Sequence, residues 1–151
     1  MIKVRRAVRE DVDAMADLLA LLFAQEAEFT PDHEAQSAAL ANIVSNADQG
    51  FALVAEGDGD YLGMVSILYT LSTALGGRVG ILEDMIVAPA ARGARVGEAL
   101  LERAIAMATD EGCLRVTLLT DADNDQAQRF YERHGFSASA MRVFRRFPPT
   151  P

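Results

Sequence analysis

The sequence of 151 residues contains one cysteine, no tryptophan and no long apolar run. A lone Cys113 cannot form an internal disulfide, which suits a reducing compartment, and we expect it to be a buried structural thiol. The longest strongly apolar run, Leu18 to Ala24, is far shorter than the roughly 20 residues of a membrane-spanning helix. Acidic residues directly precede this run, where a secretory signal would have none. These absences predict a cytoplasmic protein with no membrane partner.

Basic residues are missing from a third of the chain. Residues 10–60 contain twelve acidic residues and no lysine or arginine, and the net charge of the whole chain is −8. Nucleic acid is not an expected partner, because binding it requires a basic surface. The acidic segment has two interpretations. It is either a solvated face that promotes solubility, or the source of an electric field that attracts a cationic substrate.

Hydrophobic patterning predicts an α/β protein with one domain over residues 1–147 and a disordered tail over 148–151. Apolar residues recur at helical spacing after the first strand and again before Gly112. Three consecutive strands without intervening helices imply antiparallel pairing, so the sheet is expected to be mixed, mostly antiparallel and flanked by helices. The predicted order is a strand (2–8), two helices (11–28 and 30–46), three strands (51–55, 61–71 and 79–87), a helix ending at Gly112, a strand (114–119), a helix (124–134) and two strands (136–139 and 141–147).

A glycine-containing turn from Arg92 to Gly97 lies between a predicted strand and a long predicted helix. Backbone N–H groups at a helix start, together with the helix dipole, attract anions. Arg92 and Arg95 would oppose that dipole unless an anion were bound there. The segment therefore predicts an anion site, and the alternative is an ordinary turn with solvated arginines. It matches neither a Walker A loop nor a dinucleotide fingerprint.

A second motif occupies residues 124–136. Helical spacing places Phe130 and His134 on one packing face, with Tyr131 one step away from it. A tyrosine there can keep its ring packed and offer its hydroxyl to a cleft; the alternative is a core aromatic. The acids from Asp121 to Glu132 nearly fit a calcium loop, but Gln126 stands where that loop needs glycine. No metal is therefore expected.

Taken together, the two motifs resemble the GNAT superfamily of N-acetyltransferases over nearly the whole chain. The resemblance is most specific from Glu83 to Phe136. It implies a GNAT-like fold, acetyl-CoA as cosubstrate, and acetyl transfer to a primary amine by direct attack in a ternary complex. The matching positions are Arg92, Gly93, Val96 and Gly97 in the turn, and Asn124, Ala127, Phe130, Tyr131, Gly135 and Phe136 in the second motif.

The resemblance also implies where the cofactor is held. The turn residues bind its pyrophosphate, Asn124 contacts its pantetheine arm, and Tyr131 protonates the leaving thiolate. Backbone N–H groups near Ile86 or Val87 stabilise the oxyanion. Arg95 departs from the family, which usually has glycine there, so it either supplies a side-chain phosphate contact or weakens binding. The implied cofactor-binding set is Met85, Ile86, Val87, Arg92, Gly93, Ala94, Arg95, Val96, Gly97, Glu98, Asn124 and Tyr131.

Two adjacent acids, Glu83 and Asp84, interrupt an apolar strand and resemble the Glu-Asp pair of the diamine acetyltransferase branch. Neighbouring strand residues point to opposite faces, and burying both charges unpaired would be costly. We hypothesise that Glu83 faces the acceptor cleft and takes the amine proton, directly or through water. The alternative for Glu83 is pairing with an arginine, while Asp84 either orients the amine or is structural.

The acceptor is expected beside the acidic segment, because the first two helices line that side in the family. Glu28 and Phe29, in the loop between those helices, are candidate substrate residues together with Glu83 and Asp84. A small cationic amine is predicted: a polyamine, an aminoglycoside-like compound or a basic amino acid. The alternatives are a protein N-terminal or lysine acetyltransferase and a non-catalytic acyl-CoA-binding regulator. Family members often dimerise, so a homodimer is a candidate assembly.

Overall fold

The computed structural model describes residues 1–26 and 28–150. Ala27, in the predicted first helix, and Pro151, in the predicted tail, lie outside the described residues. The contacts fall into two units, Met1–Leu119 and the residues from Thr120 onward. In chain order the elements are β1 (Lys3–Arg6), α1 (Val12–Gln25), α2 (His33–Ser45), β2 (Gly50–Gly57), β3 (Asp60–Ser72), β4 (Gly77–Val87), α3 (Val96–Asp110), β5 (Val116–Leu118) and α4 (Asp125–Arg133), with 3-10 turns at Arg9–Asp11 and Pro89–Ala91.

The five strands of the first unit form one sheet in the order β1-β2-β3-β4-β5. Strands β1 to β4 are antiparallel to their neighbours, and β5 runs parallel to β4. The parallel step requires a crossover, which α3 supplies. The α/β class and the mixed, mostly antiparallel sheet are therefore confirmed.

Helices cover both faces of this sheet. Residues of α1 and α2 such as Met15 and Leu40 share a core with Val54, Met64 and Ile86 of the strands. Helix α3 packs on the other face, where a Cβ added at Gly63 would lie 3.0 Å from the Leu100 Cδ1 atom. Since alternate strand residues point to opposite faces, each β3 side chain can be assigned to one of the two layers.

Strand β1 is shorter than the sequence predicts, and a buried carboxylate lies just beyond its end. Asp11 is 2% exposed and accepts two hydrogen bonds from the Arg5 guanidinium, at 2.8 and 2.9 Å. It also accepts from the Val8 N–H at 2.7 Å and from the Tyr61 hydroxyl at 2.7 Å. Beyond Arg6, the Ala7 N–H still donates to the Ala52 carbonyl at 2.8 Å, and the chain then turns into the 3-10 turn at Arg9–Asp11. Arg5 also reaches Glu56 of β2, at 3.1 Å, so the network joins β1, β2 and β3.

The second unit contains α4, and the two strands predicted after it are not formed. The described residues from 136 to 150 contain neither helix nor strand. Met141 is 89% exposed and Phe144 is 91% exposed. A strand persists only when its backbone groups pair with a neighbour and its apolar side chains are buried. The apolar residues of this segment suggested the strands, but among the described residues the segment has no strand partner and its large apolar side chains are exposed.

Candidate active site

A β-bulge in β4 places the two adjacent acids in different environments. Ser66 pairs with Asp84 and Ile67 pairs with Leu82, so Glu83 is an extra residue in β4. Glu83 is exposed, whereas Asp84 is half-buried. Strict alternation predicted opposite faces for the two acids, but the bulge interrupts that alternation at Glu83. Glu83 therefore reaches solvent, which avoids the cost of burying both charges.

Asp84 lies on the face of the sheet that α1 and α2 cover. Its partner Ser66 follows Met64 on that face, and the Ser66 hydroxyl is fully buried without a hydrogen bond of good geometry to any described residue. Burial, with the negative charges of Glu83 and Glu26, raises the pKa of Asp84 from 3.8 to about 7. The Ser66 hydroxyl acts in the opposite direction and lowers this pKa.

Strand β5 is shorter than β4, so the backbone edge of β4 on that side is unpaired toward the end of the strand. Pairing between the two strands covers only Gly80–Leu82 and Val116–Leu118. From Glu83 to Val87, the described residues include no strand partner on this edge. The predicted cofactor residues Met85, Ile86 and Val87 lie along it. Such an edge can hydrogen-bond an extended ligand as a further strand would.

Backbone N–H groups without an intrahelical acceptor lie where the turn after β4 meets α3. Arg95 is the N-cap of α3 and makes no side-chain capping hydrogen bond. The first helical hydrogen bond runs from the Ala99 N–H to the Arg95 carbonyl at 3.1 Å, so the N–H groups of residues 96–98 have no intrahelical acceptor. A Cβ added at Gly93, which has φ +87°, would meet nothing within 4 Å. The arrangement is therefore open to an anion and suits a phosphate.

Arg95 adopts a backbone conformation that favours glycine. Its φ is +62°, in the left-handed region, which costs roughly 1–2 kcal/mol for an L residue. Its side chain is 85% exposed, and the Glu98 carboxylate lies 3.9 Å away. An exposed pair at that distance contributes little. The preference for glycine that the resemblance implies at this position thus has a physical reason, because the turn requires a positive φ.

The second unit contains the other two predicted cofactor residues. Asn124 is the N-cap of α4, and its side-chain oxygen accepts a hydrogen bond from the Ala127 N–H at 3.1 Å. Tyr131 is half-buried, with its ring centroid 5.3 Å from that of Phe130 and 5.7 Å from that of Phe136. Burial raises the pKa of Tyr131 to about 12. The hydroxyl therefore keeps its proton at neutral pH.

The loop between α1 and α2 contains the two candidate substrate residues. Glu28 and Phe29 are both exposed, and the Phe29 ring centroid lies 5.7 Å from that of Phe23 in α1. Phe29 is thus held by an aromatic contact. Glu26, three residues earlier in the chain, is close enough to Asp84 to raise the pKa of that carboxyl.

The described residues provide neither a metal-binding cluster nor a membrane-spanning helix. Within residues 1–26 and 28–150, no group of three or more His, Cys, Asp or Glu side chains is arranged to hold a metal ion. In the same residues, no helix has both the length and the apolarity needed to cross a bilayer.

Comparison with known families decides the class of this site. The model of the "Acetyltransferase (GNAT) family" matches residues 13–136, which include the acidic pair, the turn and the second motif. The chain belongs to the GNAT family of acetyltransferases. It is accordingly an acyltransferase, and the prediction from the two motifs is confirmed at the level of family and enzyme class.

Three relatives show how far this GNAT chain resembles known proteins. It is 32% identical to the uncharacterized N-acetyltransferase YhfO of Bacillus subtilis, over 88% of each chain. It is 27% identical to the aminoalkylphosphonate N-acetyltransferase of Salmonella typhimurium, over 93% of this chain and 88% of that one. The crystal structure of an integron cassette protein from the Cole Harbour salt marsh metagenome superposes with a TM-score of 0.84 and 26% identity, over 98% of this chain and 91% of that one.

Sequence reasoning missed Ser66, which lies opposite Asp84 in this candidate site. Ser66 is the one hydroxyl residue in the run from Gly63 to Leu68 of β3. A lone polar residue in a buried strand is a usable signal, because an unsatisfied buried hydroxyl is costly. No spacing rule could pair it with Asp84, since the register depends on the bulge.

Proposed function

We propose that this GNAT protein transfers the acetyl group of acetyl-CoA to a primary amine of a small cationic acceptor, by direct attack in a ternary complex. The observation that carries the proposal is the acidic site at the β4 bulge, which lies beside the open β4 edge and is followed along the chain by the turn from Arg92 to Gly97. The edge suits the pantetheine arm of coenzyme A, the turn suits its pyrophosphate, and the acids suit an ammonium group.

Residues of β4 and of the turn before α3 would hold the cofactor. The N–H groups at the start of α3, with Arg92 and Arg95, would bind phosphate oxygens. The backbone of Met85 to Val87 would pair with the extended pantetheine arm, the part of the cofactor that the family resemblance also assigns to Asn124. Acetyl-CoA, when bound, supplies a thioester whose carbonyl carbon accepts the amine. N–H groups near Ile86 or Val87 would stabilise the oxyanion.

Direct attack is favoured over an acetylated enzyme by the state of the thiol. Cys113 is the chain's single cysteine and is half-buried. Burial raises the pKa of the Cys113 thiol. Since the thiolate is the nucleophile, a raised pKa disfavours a thioester on this residue. The amine itself is therefore the nucleophile in our proposal, and initial rates should show an intersecting pattern for the two substrates.

The acids would select and prepare the acceptor. Glu83, at the exposed position of the bulge, would bind the ammonium group of the acceptor. Glu28 and Phe29 would line the approach from the loop between α1 and α2. Residues 10–60 contain twelve acidic residues and no lysine or arginine. Their negative charges attract a cation and repel an anion, which supports a cationic acceptor.

A second acceptor class comes from the Salmonella relative, whose name specifies an aminoalkylphosphonate. Such a molecule has an anionic phosphonate as well as an amine. The acids at the bulge disfavour the phosphonate near the reacting nitrogen, although an arginine farther away could bind it. Protein amines and a binding-only function on the same fold are the remaining alternatives.

The deciding experiment measures thiol release from acetyl-CoA with a panel of amines. The panel contains polyamines, aminoglycosides, basic and neutral amino acids, an aminoalkylphosphonate and a lysine peptide. Turnover that is greatest with polycations is expected. Preference for a neutral or anionic amine would refute the cationic acceptor but keep the enzyme. Cofactor binding without transfer to any amine would favour the binding-only alternative.

Replacing Arg95 with glycine should separate the backbone role of this residue from its charge. Glycine adopts the left-handed conformation without cost, so the free energy of unfolding should rise by about 0.5–1 kcal/mol. If the guanidinium binds a phosphate, the Kd for acetyl-CoA should increase by about five- to tenfold. Thermal unfolding and calorimetric titration measure the two effects.

The matched control is Asp58→Gly, which also places a glycine where a non-glycine residue has a positive φ (+53°) but lies outside the turn from Arg92 to Gly97. We expect this variant to bind acetyl-CoA as the wild type does. An Arg95→Gly protein that binds the cofactor more tightly would instead mean that the arginine hinders the approach of the phosphate.

A further inference from the structure

We infer that Asp84, rather than Glu83, holds the acceptor's proton during attack, with Ser66 positioning its carboxylate and Glu83 serving to capture the ammonium. This inference rests on the proposed function. It divides between two neighbouring acids the roles that sequence reasoning gave to Glu83.

The division follows from the bulge. On one side of it, Ile67 pairs with Leu82, and on the other side Ser66 pairs with Asp84. Leu82 and Asp84 therefore point to opposite faces of the sheet, as their partners do, and Glu83 is an extra residue between them. Glu83 is exposed, while Asp84 is half-buried on the face that α1 covers.

The buried hydroxyl of Ser66 is the second observation. It lies opposite Asp84, it is 0% exposed, and it has no hydrogen-bond partner of good geometry among the described residues. Leaving such a group unsatisfied costs roughly 1–3 kcal/mol. A carboxylate that moves slightly on binding an ammonium can accept its hydrogen bond. The hydroxyl thus favours the charged form of Asp84, which is the form that must receive a proton.

The charges around Asp84 set when it can act. Glu83 on its own strand and Glu26 after α1 both favour the protonated form, and Ser66 on β3 opposes them. Together with burial they bring the pKa of Asp84 to about 7. General bases are most efficient when their pKa is close to the working pH. An ammonium arriving at Glu83 offsets part of the negative charge and makes Asp84 easier to ionise.

The proton balance is simple. An N–H bond of the bound R–NH3⁺ breaks and an O–H bond forms at the Asp84 carboxylate, which leaves the neutral amine with its lone pair. The amine then attacks, and Asp84 returns its proton to solvent after the product leaves. No oxidant or additional reactant is required.

The test is the pH dependence of kcat/KM with the best amine of the panel. The wild type should lose activity about tenfold per pH unit below an apparent pKa near 7. Asp84→Asn should lower kcat by about 10²–10³-fold and abolish this limb. Ser66→Ala should move the limb to higher pH, and Glu83→Gln should move it to lower pH and raise the KM for the amine.

Two results would overturn the inference: a limb that survives in Asp84→Asn, or one that disappears in Glu83→Gln. A wild type inactive with every amine would instead refute the proposed function. Carbon-13 NMR of aspartate-labelled protein, with Asp84→Asn as the assignment control, gives an answer that requires no activity. An Asp84 carboxyl that titrates between pH 6 and 8 supports the inference, as about 7 is expected, and one that stays ionised there contradicts it.

Discussion

Replacing Tyr131 with phenylalanine is expected to lower kcat for acetyl transfer by about 10²–10⁴-fold while leaving the KM for acetyl-CoA nearly unchanged. The proposed role of the hydroxyl is to protonate the leaving thiolate, which is needed only as the thioester breaks. Phenylalanine keeps the ring contacts with Phe130 and Phe136, at 5.3 and 5.7 Å between centroids, so the fold should not change. Steady-state thiol release measures the effect.

The control for this variant is Tyr69→Phe. The Tyr69 hydroxyl is also buried, and it has no hydrogen-bond partner among the described residues. Removing it tests the loss of a tyrosine hydroxyl outside the proposed chemistry, and activity should be retained. Full activity of Tyr131→Phe would show that another group or water protonates the thiolate. Because burial raises the pKa of Tyr131 to about 12, its ionisation should not limit the rate below about pH 11.

The largest loss of stability is expected from Asp11→Asn. The variant keeps the size of the side chain but removes its negative charge. Arg5, the Val8 N–H and Tyr61 all donate hydrogen bonds to this carboxylate in the wild type. Hydrogen bonds to a charged group are worth about 1.5–3 kcal/mol each, and Arg5 retains Glu56 as a partner. We therefore expect a loss of about 3 kcal/mol, or roughly 6–12 °C in Tm. Chemical and thermal unfolding at pH 7 measure it.

The loss should depend on pH in one direction. The Arg5 guanidinium holds the pKa of the Asp11 carboxyl well below its usual 3.8. A group whose pKa is lowered by folding stabilises the protein above its unfolded pKa, and this contribution disappears as the pH falls toward the folded pKa. The difference between the wild type and Asp11→Asn should therefore be constant above about pH 5 and shrink below about pH 4.

Asp48→Asn is the matched control, because Asp48 is exposed and has no ion pair with a described residue. It should change the free energy of unfolding by no more than about 0.5 kcal/mol. If Asp11→Asn is as stable as this control, the hydrogen bonds to the Asp11 carboxylate do not contribute to the free energy of unfolding.

The main elements of the first unit could be predicted because their signals are local. The stripe of Val96, Leu100 and Ala104 recurs at helical spacing, and burial of that stripe against the sheet is what stabilises α3. The turn from Arg92 to Gly97 was likewise located by its glycines and arginines. Its role toward a phosphate stays a prediction.

The parts that escaped prediction depend on pairing between distant residues. The bulge at Glu83 exists only relative to β3, so the sequence of β4 alone cannot reveal it. The buried Asp11 carboxylate beyond the end of β1 accepts a hydrogen bond from Tyr61, which lies 50 residues farther along the chain. The pattern after residue 136 resembled strands, yet the described structure provides them with no partner.

The extra residue in β4 also affects how chain length can vary in this region. Because the hydrogen-bonded pairs on either side of Glu83 keep their register and their faces, the sheet does not depend on this position for its continuity. A gain or loss of one residue here would alter the side chain offered at the surface without moving Leu82 or Asp84 to the wrong layer. Related chains could therefore diversify their acceptors by insertion and deletion at this point, while the hydrophobic layers remain as they are.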